Sequence, residues 1–333
     1  MNVLRTNRLL CLSAVVSMVL SHSTSQGADS KGPVYTDAAN AGPDYALQGE
    51  YEGVVQTADG EKRFGAQVIA LGDHRFQAVG FYGGLPGAGW KRGDKVTRVE
   101  GTAVDGKLTV ETEGAIVEIA DGKAKVKSEG KLIGTLQKTK RSSPTLGAKP
   151  PADAVVLFDG SSADAFVNGQ MVDGKWLAAS NCASKEKFGD HHLHIEFRTP
   201  FMPQARGQAR GNSGVYIQSR YELQVLDSFG LDGKDNECGG SYSVSEPIVN
   251  MCLPPLAWQT YDIDFTAARY DDSGNKVKNA QVTISHNGVV IHEDRVLPHG
   301  TPGRNAEGVG PDALFLQNHG NPVVFRNIWV TTK

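Results

Sequence analysis

Over residues 47–138 the apolar positions come in short alternating bursts, at 51–55, 65–71, 75–80, 107–110, 116–119 and 131–136, broken by Asp59-Gly60, Asp105-Gly106 and Asp121-Gly122. Successive side chains on a strand leave opposite faces, so this period of two predicts half-buried strands joined by tight turns. The spacing predicts a small all-β meander. Residues 139–153, TKRSSPTLGAKPPAD, carry no periodicity and read as a linker.

A second all-β pattern fills residues 154–333. Strands are expected at 155–158, 175–178, 191–198, 213–218, 220–226, 258–267, 280–286, 289–294, 313–318 and 323–330. No helical stripe interrupts them. Ten or so strands of this length favour a two-sheet sandwich of jelly-roll type over a barrel. Asn287-Gly288 between two alternating runs signals a two-residue hairpin.

The ends add a compartment. Residues 1–27 begin with Arg5 and Arg8, continue apolar from 9 to 20 and end in small residues, the pattern of a secretory signal. The apolar run is shorter than the ~20 residues of a membrane span, so an exported protein, periplasmic or extracellular, without a membrane span is expected. Residues 28–46 read as a further linker of little order. Cys11 leaves with the signal, and Cys182, Cys238 and Cys252 remain where disulfides form. Cys238 and Cys252 flank a short segment that could close as a loop and are the expected disulfide, with Cys182 free and buried. No Cys/His spacing matches a zinc site, calcium is conceivable for an exported sandwich but no loop demands it, and no cofactor is expected. The net charge of −3 argues against nucleic acid. Nothing sets the oligomeric state.

Candidate chemistry gathers in the second domain. In residues 211–227, GNSGVYIQSRYELQVLD, the side chains of Tyr221, Leu223 and Val225 share an apolar face, and Glu222 and Gln224 share the other. Asp227 is five residues beyond Glu222, an odd spacing that sets it on the opposite face unless a bulge intervenes. Glu196 with Arg198, Gln317 with His319, and Arg326 also fall in strands or at their ends. A single carboxylate on a sheet is more often solvated or ion-paired than functional. Several on one curved sheet fit a groove for a sugar, with donors and acceptors for hydroxyls and an aromatic wall from Trp258, Tyr242 or Tyr216. His319 could act as acid or base, or cap its turn. His191, His192 and His194 fit a surface strand edge better than a metal site. The glycine-rich residues 83–89 lack the helix and the Lys-Ser/Thr pair of a phosphate loop and read as a wide turn. The first domain reads as accessory.

Taken in order, VLFDG at 156–160, FGD at 188–190, IEFR at 195–198, NSGV at 212–215, YELQVLD at 221–227, WQTYD at 258–262, HNGV at 286–289, LQNHG at 316–320 and FRNI at 325–328 resemble the 3-keto-disaccharide hydrolase domain family. The departures are Asn318, where Asp is common, and the extra residues 238–255, as in planctomycete-type exported members. The resemblance implies a concanavalin-A-like, laminarinase-like jelly roll acting on 3-keto-glycosides. It implies proton transfer by Glu222 or His319, polarisation of the keto sugar by Arg198 and Gln224, and hydroxyl contacts from Asp227 and Gln317, with Tyr242 and Trp258 also binding substrate. Two other readings stay open. One is a retaining glycosidase of laminarinase type, which needs carboxylates about 5 to 5.5 Å apart. The other is a non-catalytic carbohydrate-binding module.

Overall fold

The computed structural model describes residues 32–333; the signal reading of residues 1–27 and Cys11 lie outside them. Among the described residues no helix is long and apolar enough to cross a membrane.

The meander closes on itself. Eight strands, Gly49–Thr57, Gly60–Gly72, Arg75–Tyr82, Val96–Val104, Lys107–Thr112, Ala115–Ala120, Lys123–Ser128 and Lys131–Thr139, each pair with their predecessor, and the last pairs with the first. Closure removes the unpaired edges of an open sheet. Two of these strands were not expected from the pattern, because Val96–Val104 and Lys123–Ser128 alternate with charges and carry few large apolar residues. The short side chains of Ala124 and Val126 still reach a core of Tyr51, Val68, Phe76, Leu108, Val110 and Ile119. Gly134 sits at a register shift, where a Cβ would lie 2.6 Å from the Val54 carbonyl oxygen, so only glycine allows this approach.

Residues 32–46 of the first segment read as a linker, and the whole of the second, are ordered and docked. Asp37 caps a 3-10 turn, Ala38–Asn40, by accepting from Ala39 N (2.9 Å), and a short helix, Gly42–Leu47, follows. Tyr35 and Tyr45 pack against Phe201 at ring distances of 5.8 and 5.2 Å. In the second segment Arg141 pairs with buried Glu50, Thr145 Oγ1 donates to Asp262 Oδ2 (2.7 Å), and Gly147 N donates to Glu196 Oε1 (2.6 Å). Aromatic and hydroxyl anchors spaced without period give no strand or helix signal, which is why these stretches look featureless in sequence.

The second domain is a sandwich of two antiparallel sheets. The larger runs Met171–Val172, Trp176–Ala178, Val324–Thr332, His191–Arg198, Gln259–Thr266, Ala280–His286 and Val289–Leu297, with Val155–Phe158 also on Val324–Thr332. The smaller runs Phe166–Val167, Cys182–Phe188, Asp312–Leu316, Ser213–Ile217 and Tyr221–Val225. Between them lie Ile195, Phe197, Val215, Leu223, Ile263 and Phe265. At the hairpin after His286, Asn287 and Gly288 both take positive φ (51° and 77°), the geometry of a two-residue turn.

Two expectations change here. His191–Arg198 lies between Gln259–Thr266 and Val324–Thr332, so it is a central strand and not a surface edge, and His191 and His194 are buried. The Cys238–Cys252 disulfide is absent: Cys182, Cys238 and Cys252 are all buried free thiols. The Cys238 and Cys252 thiols lie side by side; Cys238 Sγ also contacts Tyr261 Oη (3.2 Å) and Cys252 Sγ donates to Leu226 O (3.5 Å), so both sulfurs have polar partners inside the core. Residues 83–89 form the turn read from the sequence, braced by two short parallel strands, Leu85–Pro86 and Gly89–Trp90.

The barrel grips the sandwich through backbone carbonyls. Arg92 donates to Gly233 O and Pro247 O (both 2.9 Å) and Ile248 O (3.2 Å), and Arg98 donates to Gly230 O (2.7 Å). These carbonyls belong to the segment that leaves the Tyr221–Val225 strand and returns to wall the cavity described next.

Candidate active site

The site grows from one hairpin. Ser213–Ile217 pairs with Tyr221–Val225 in unbroken register, with Tyr216 opposite Glu222 and Gly214 opposite Gln224. The turn takes Gln218 and Ser219 into the left-handed region (φ 51° and 52°), which strains non-glycine residues. Side-chain bonds from Gln218 Nε2 to Phe188 O (2.8 Å) and Ser219 Oγ to Ala313 O (3.0 Å) offset that strain. Alternation then places Gly214, Tyr216, Glu222 and Gln224 together on the outer face of the smaller sheet, away from the core.

Neighbouring segments wall this face. Residues 239–242 run along the free edge of the hairpin: Gly239 N donates to Gln224 O (3.0 Å) and Tyr242 N to Glu222 O (3.1 Å). On the other side Gln317 N donates to Gly214 O (3.0 Å), and the chain continues to His319. The result is a cavity of about 160 Å³ that brings together Tyr216, Glu222, Gln224, Tyr242, Gln317 and His319. With Pro302 beside them, Gln208, Asn212 and Gly303 complete it. Sequence reasoning did not single out these three. The even parity of Asn212, Gly214 and Tyr216 could have pointed to Asn212, whereas Gln208 and Gly303 come from loops that no periodicity marks.

Glu222 dominates the electrostatics. The residue is 5% exposed, and burial pushes its pKa up to about 7, against the opposing pull of the Tyr216 phenol, which donates to Oε2 at 2.8 Å. A Cβ at Gly214 would fall on Glu222 Oε1, so the carboxyl lies over the glycine. The Gln224 amide satisfies its neighbours when its nitrogen faces Glu222 Oε1 (2.9 Å) and Ser213 O (3.1 Å), an orientation assigned from the hydrogen-bond network. Gln317 Nε2 donates to Tyr216 Oη (3.3 Å), while Gln317 Oε1 is buried without a donor. His319 is exposed at the mouth.

The remaining candidates lie elsewhere. Asp227 is buried in an ion pair with Arg210 Nε (2.7 Å) and does not line the cavity, which leaves Glu222 as the sole carboxylate among the described lining residues. Arg198 and Trp258 sit on the outer face of the larger sheet, beside Trp176 and Arg326. Glu196 is on that face too, fully buried. Burial opposes its ionisation, but bonds from His194, Asn327, Gly147 N and Arg326 hold it at about 2. Its full set of partners makes it a clamp for the docked 139–153 segment, whereas Glu222 can change charge near neutral pH. Among the described residues no group of three or more His, Cys, Asp or Glu side chains is arranged to hold a metal ion.

The 3-keto-alpha-glucoside-1,2-lyase-like domain matches residues 153–331. No curated protein matches the chain. Among solved structures, a candidate glycosyl hydrolase from Parabacteroides distasonis is 31% identical, covering 55% of this chain and 85% of that one with a TM-score of 0.51. Another from the same organism is 16% identical, covering 54% and 94%, with a TM-score of 0.40. With more than half of its length inside the first match, the chain belongs to the 3-keto-alpha-glucoside-1,2-lyase-like family of carbohydrate-active domains.

Proposed function

We propose that this protein cleaves 3-keto-glycosides by proton abstraction at C2, β-elimination and rehydration, with Glu222 as the proton-transfer group. A ketone at C3 acidifies the C2 hydrogen. The Glu222 carboxylate takes that proton, the C2–H electrons form the C1=C2 bond, and the C1–O bond breaks. The departing oxygen takes a proton at the mouth, where His319 is exposed to supply it. Water then adds at C1 and C2 regains a proton, so the net change is hydrolysis.

The observation that carries this reading is a buried carboxyl, alone of its kind in the cavity, held near neutral pKa. A general base works best when its pKa lies near the operating pH. Charge developing on the C3 oxygen meets neutral donors from the amides and phenols of the lining, already oriented by one another. The unpartnered Gln317 Oε1 is an acceptor that a sugar hydroxyl would satisfy. Asp227, tied to Arg210, is poorly placed to serve as the second acid of a two-carboxylate mechanism.

Turnover decides between the readings. Aglycone release is expected from a 3-keto-glucoside and not from the parent glucoside, and deuterium at C2 is expected to slow it several-fold. Equal release from both forms would favour the retaining glycosidase, and release from neither the binding module. The pattern of residues 1–27 adds that the activity is exported, to the periplasm or beyond. A mature N-terminus near residue 28 tests that addition.

A further inference from the structure

We propose that the outer face of the larger sheet carries a second, separate ligand site, for the carboxylates of an acidic saccharide. Its frame is a ladder in which cations alternate with indole rings. Lys175 Nζ lies 4.3 Å from the Trp176 ring centre, and the Arg198 guanidinium lies between Trp176 (4.2 Å) and Trp258 (5.2 Å). Arg326 covers Trp258 at 4.1 Å, and the two indoles meet edge to face at 5.8 Å. Next to the ladder opens a cleft of about 680 Å³, lined by Trp176, Lys175, Lys149 and Arg326, with Asp159 at one side and Glu196 below.

The unmet charge on this ladder points to an anion. Arg326 uses Nε on Glu196 Oε2 (2.7 Å) and keeps its terminal nitrogens. The Arg198 side chain makes no hydrogen bond or ion pair with any described residue; Asp37, Asp173 and Tyr45 act on it only at longer range. Burial, and then the charge of Arg326, both press against its protonated form. The five donors of this half-buried guanidinium open to solvent, and a planar carboxylate matches their fork in bidentate fashion.

Shape and charge favour a saccharide over a nucleic acid. Bases stack on bare aromatic faces, and here cations lie over both indoles. An extended sugar acid fits a cleft some four times the size of the other cavity, and the family supplies the carbohydrate context. The two cavities open on opposite faces of the sandwich, so occupancy of one leaves the other free.

The test is electrophoretic mobility of the full chain in gels containing polygalacturonate, neutral dextran or duplex DNA. It reads binding without turnover, so its failure is distinct from failure of the keto-glycoside reading. Retardation is expected with polygalacturonate alone. Arg198→Gln is expected to weaken it about tenfold or more, as loss of a charge-assisted pair would, and Lys175→Gln, at an exposed position, several-fold. Gln224→Ala in the other cavity is expected to keep it. Melting temperatures show that each variant is folded. Arg326 is left intact, because its loss would strand the buried Glu196 charge. No retardation in polygalacturonate, equal retardation by dextran, stronger retardation by DNA, or retention unchanged in both Arg198→Gln and Lys175→Gln would overturn the proposal.

Discussion

Tyr216 stands directly across the hairpin from Glu222 and donates its phenol proton to Glu222 Oε2 at 2.8 Å. The bond favours the carboxylate, while burial favours the neutral acid and outweighs it. Removing the phenol with Tyr216→Phe therefore raises the Glu222 pKa above about 7. The basic rise of the kcat/KM profile is expected to move to higher pH by about one pH unit or more, since a hydrogen bond to a charged group is worth about 1.5–3 kcal/mol. An unmoved profile would show that another group controls the rate.

The same pKa makes a stability prediction. Glu222 titrates higher in the folded chain than its ordinary 4.5, so its contribution is present below about pH 4.5 and is lost as pH rises through about 7. Glu222→Gln, neutral at every pH, is expected to be more stable than wild type at pH 8, by up to roughly 3 kcal/mol. At pH 4.5 the two should melt together. Denaturant unfolding at the two pH values measures both terms.

Gly214 provides the space that the Glu222 carboxyl occupies. Gly214→Ala places a methyl group against Oε1 and within 2.9 Å of the Tyr216 ring, so the acid must swing away. The expected cost in stability is about 1–3 kcal/mol, with a far larger loss of kcat than rise in KM. Kinetics with a normal kcat would mean that the position of the carboxyl does not matter.

Asp227 is expected to matter for folding more than for chemistry. Asp227→Ala leaves the Arg210 charge buried and unpaired, at a cost of about 3–5 kcal/mol. Below its lowered melting temperature, the variant should keep kcat within about tenfold of wild type. A loss of the size expected for a missing catalytic carboxylate, about 10²–10⁴, would restore the two-acid mechanism.

Parity explains both what the sequence revealed of this site and what it hid. A period of two assigns Glu222 and Gln224 to the face opposite Leu223 and Val225, and the sandwich has them there. Parity names a face, however, and never the sheet to which a strand belongs. Arg198 has the same outward parity in its own strand, and the family resemblance joins it to Gln224 on the keto sugar, yet its strand belongs to the other sheet and faces the opposite way. Long-range pairing decides that, and no local pattern encodes it. The closed barrel was half legible for a related reason: strands such as Lys123–Ser128 bury so little that charge hides their alternation. Gln208 and Gly303 reach the cavity from loops, whose paths depend on what they pack against.

The central claim is that the carboxyl of Glu222 moves the proton. Glu222→Gln keeps the shape and the Tyr216 contact but cannot accept a proton at C2. Assayed on a 3-keto-glycoside, with folding confirmed by its melting curve, this variant is expected to lose about 10²–10⁴ of kcat. Cleavage at the wild-type rate would contradict the account.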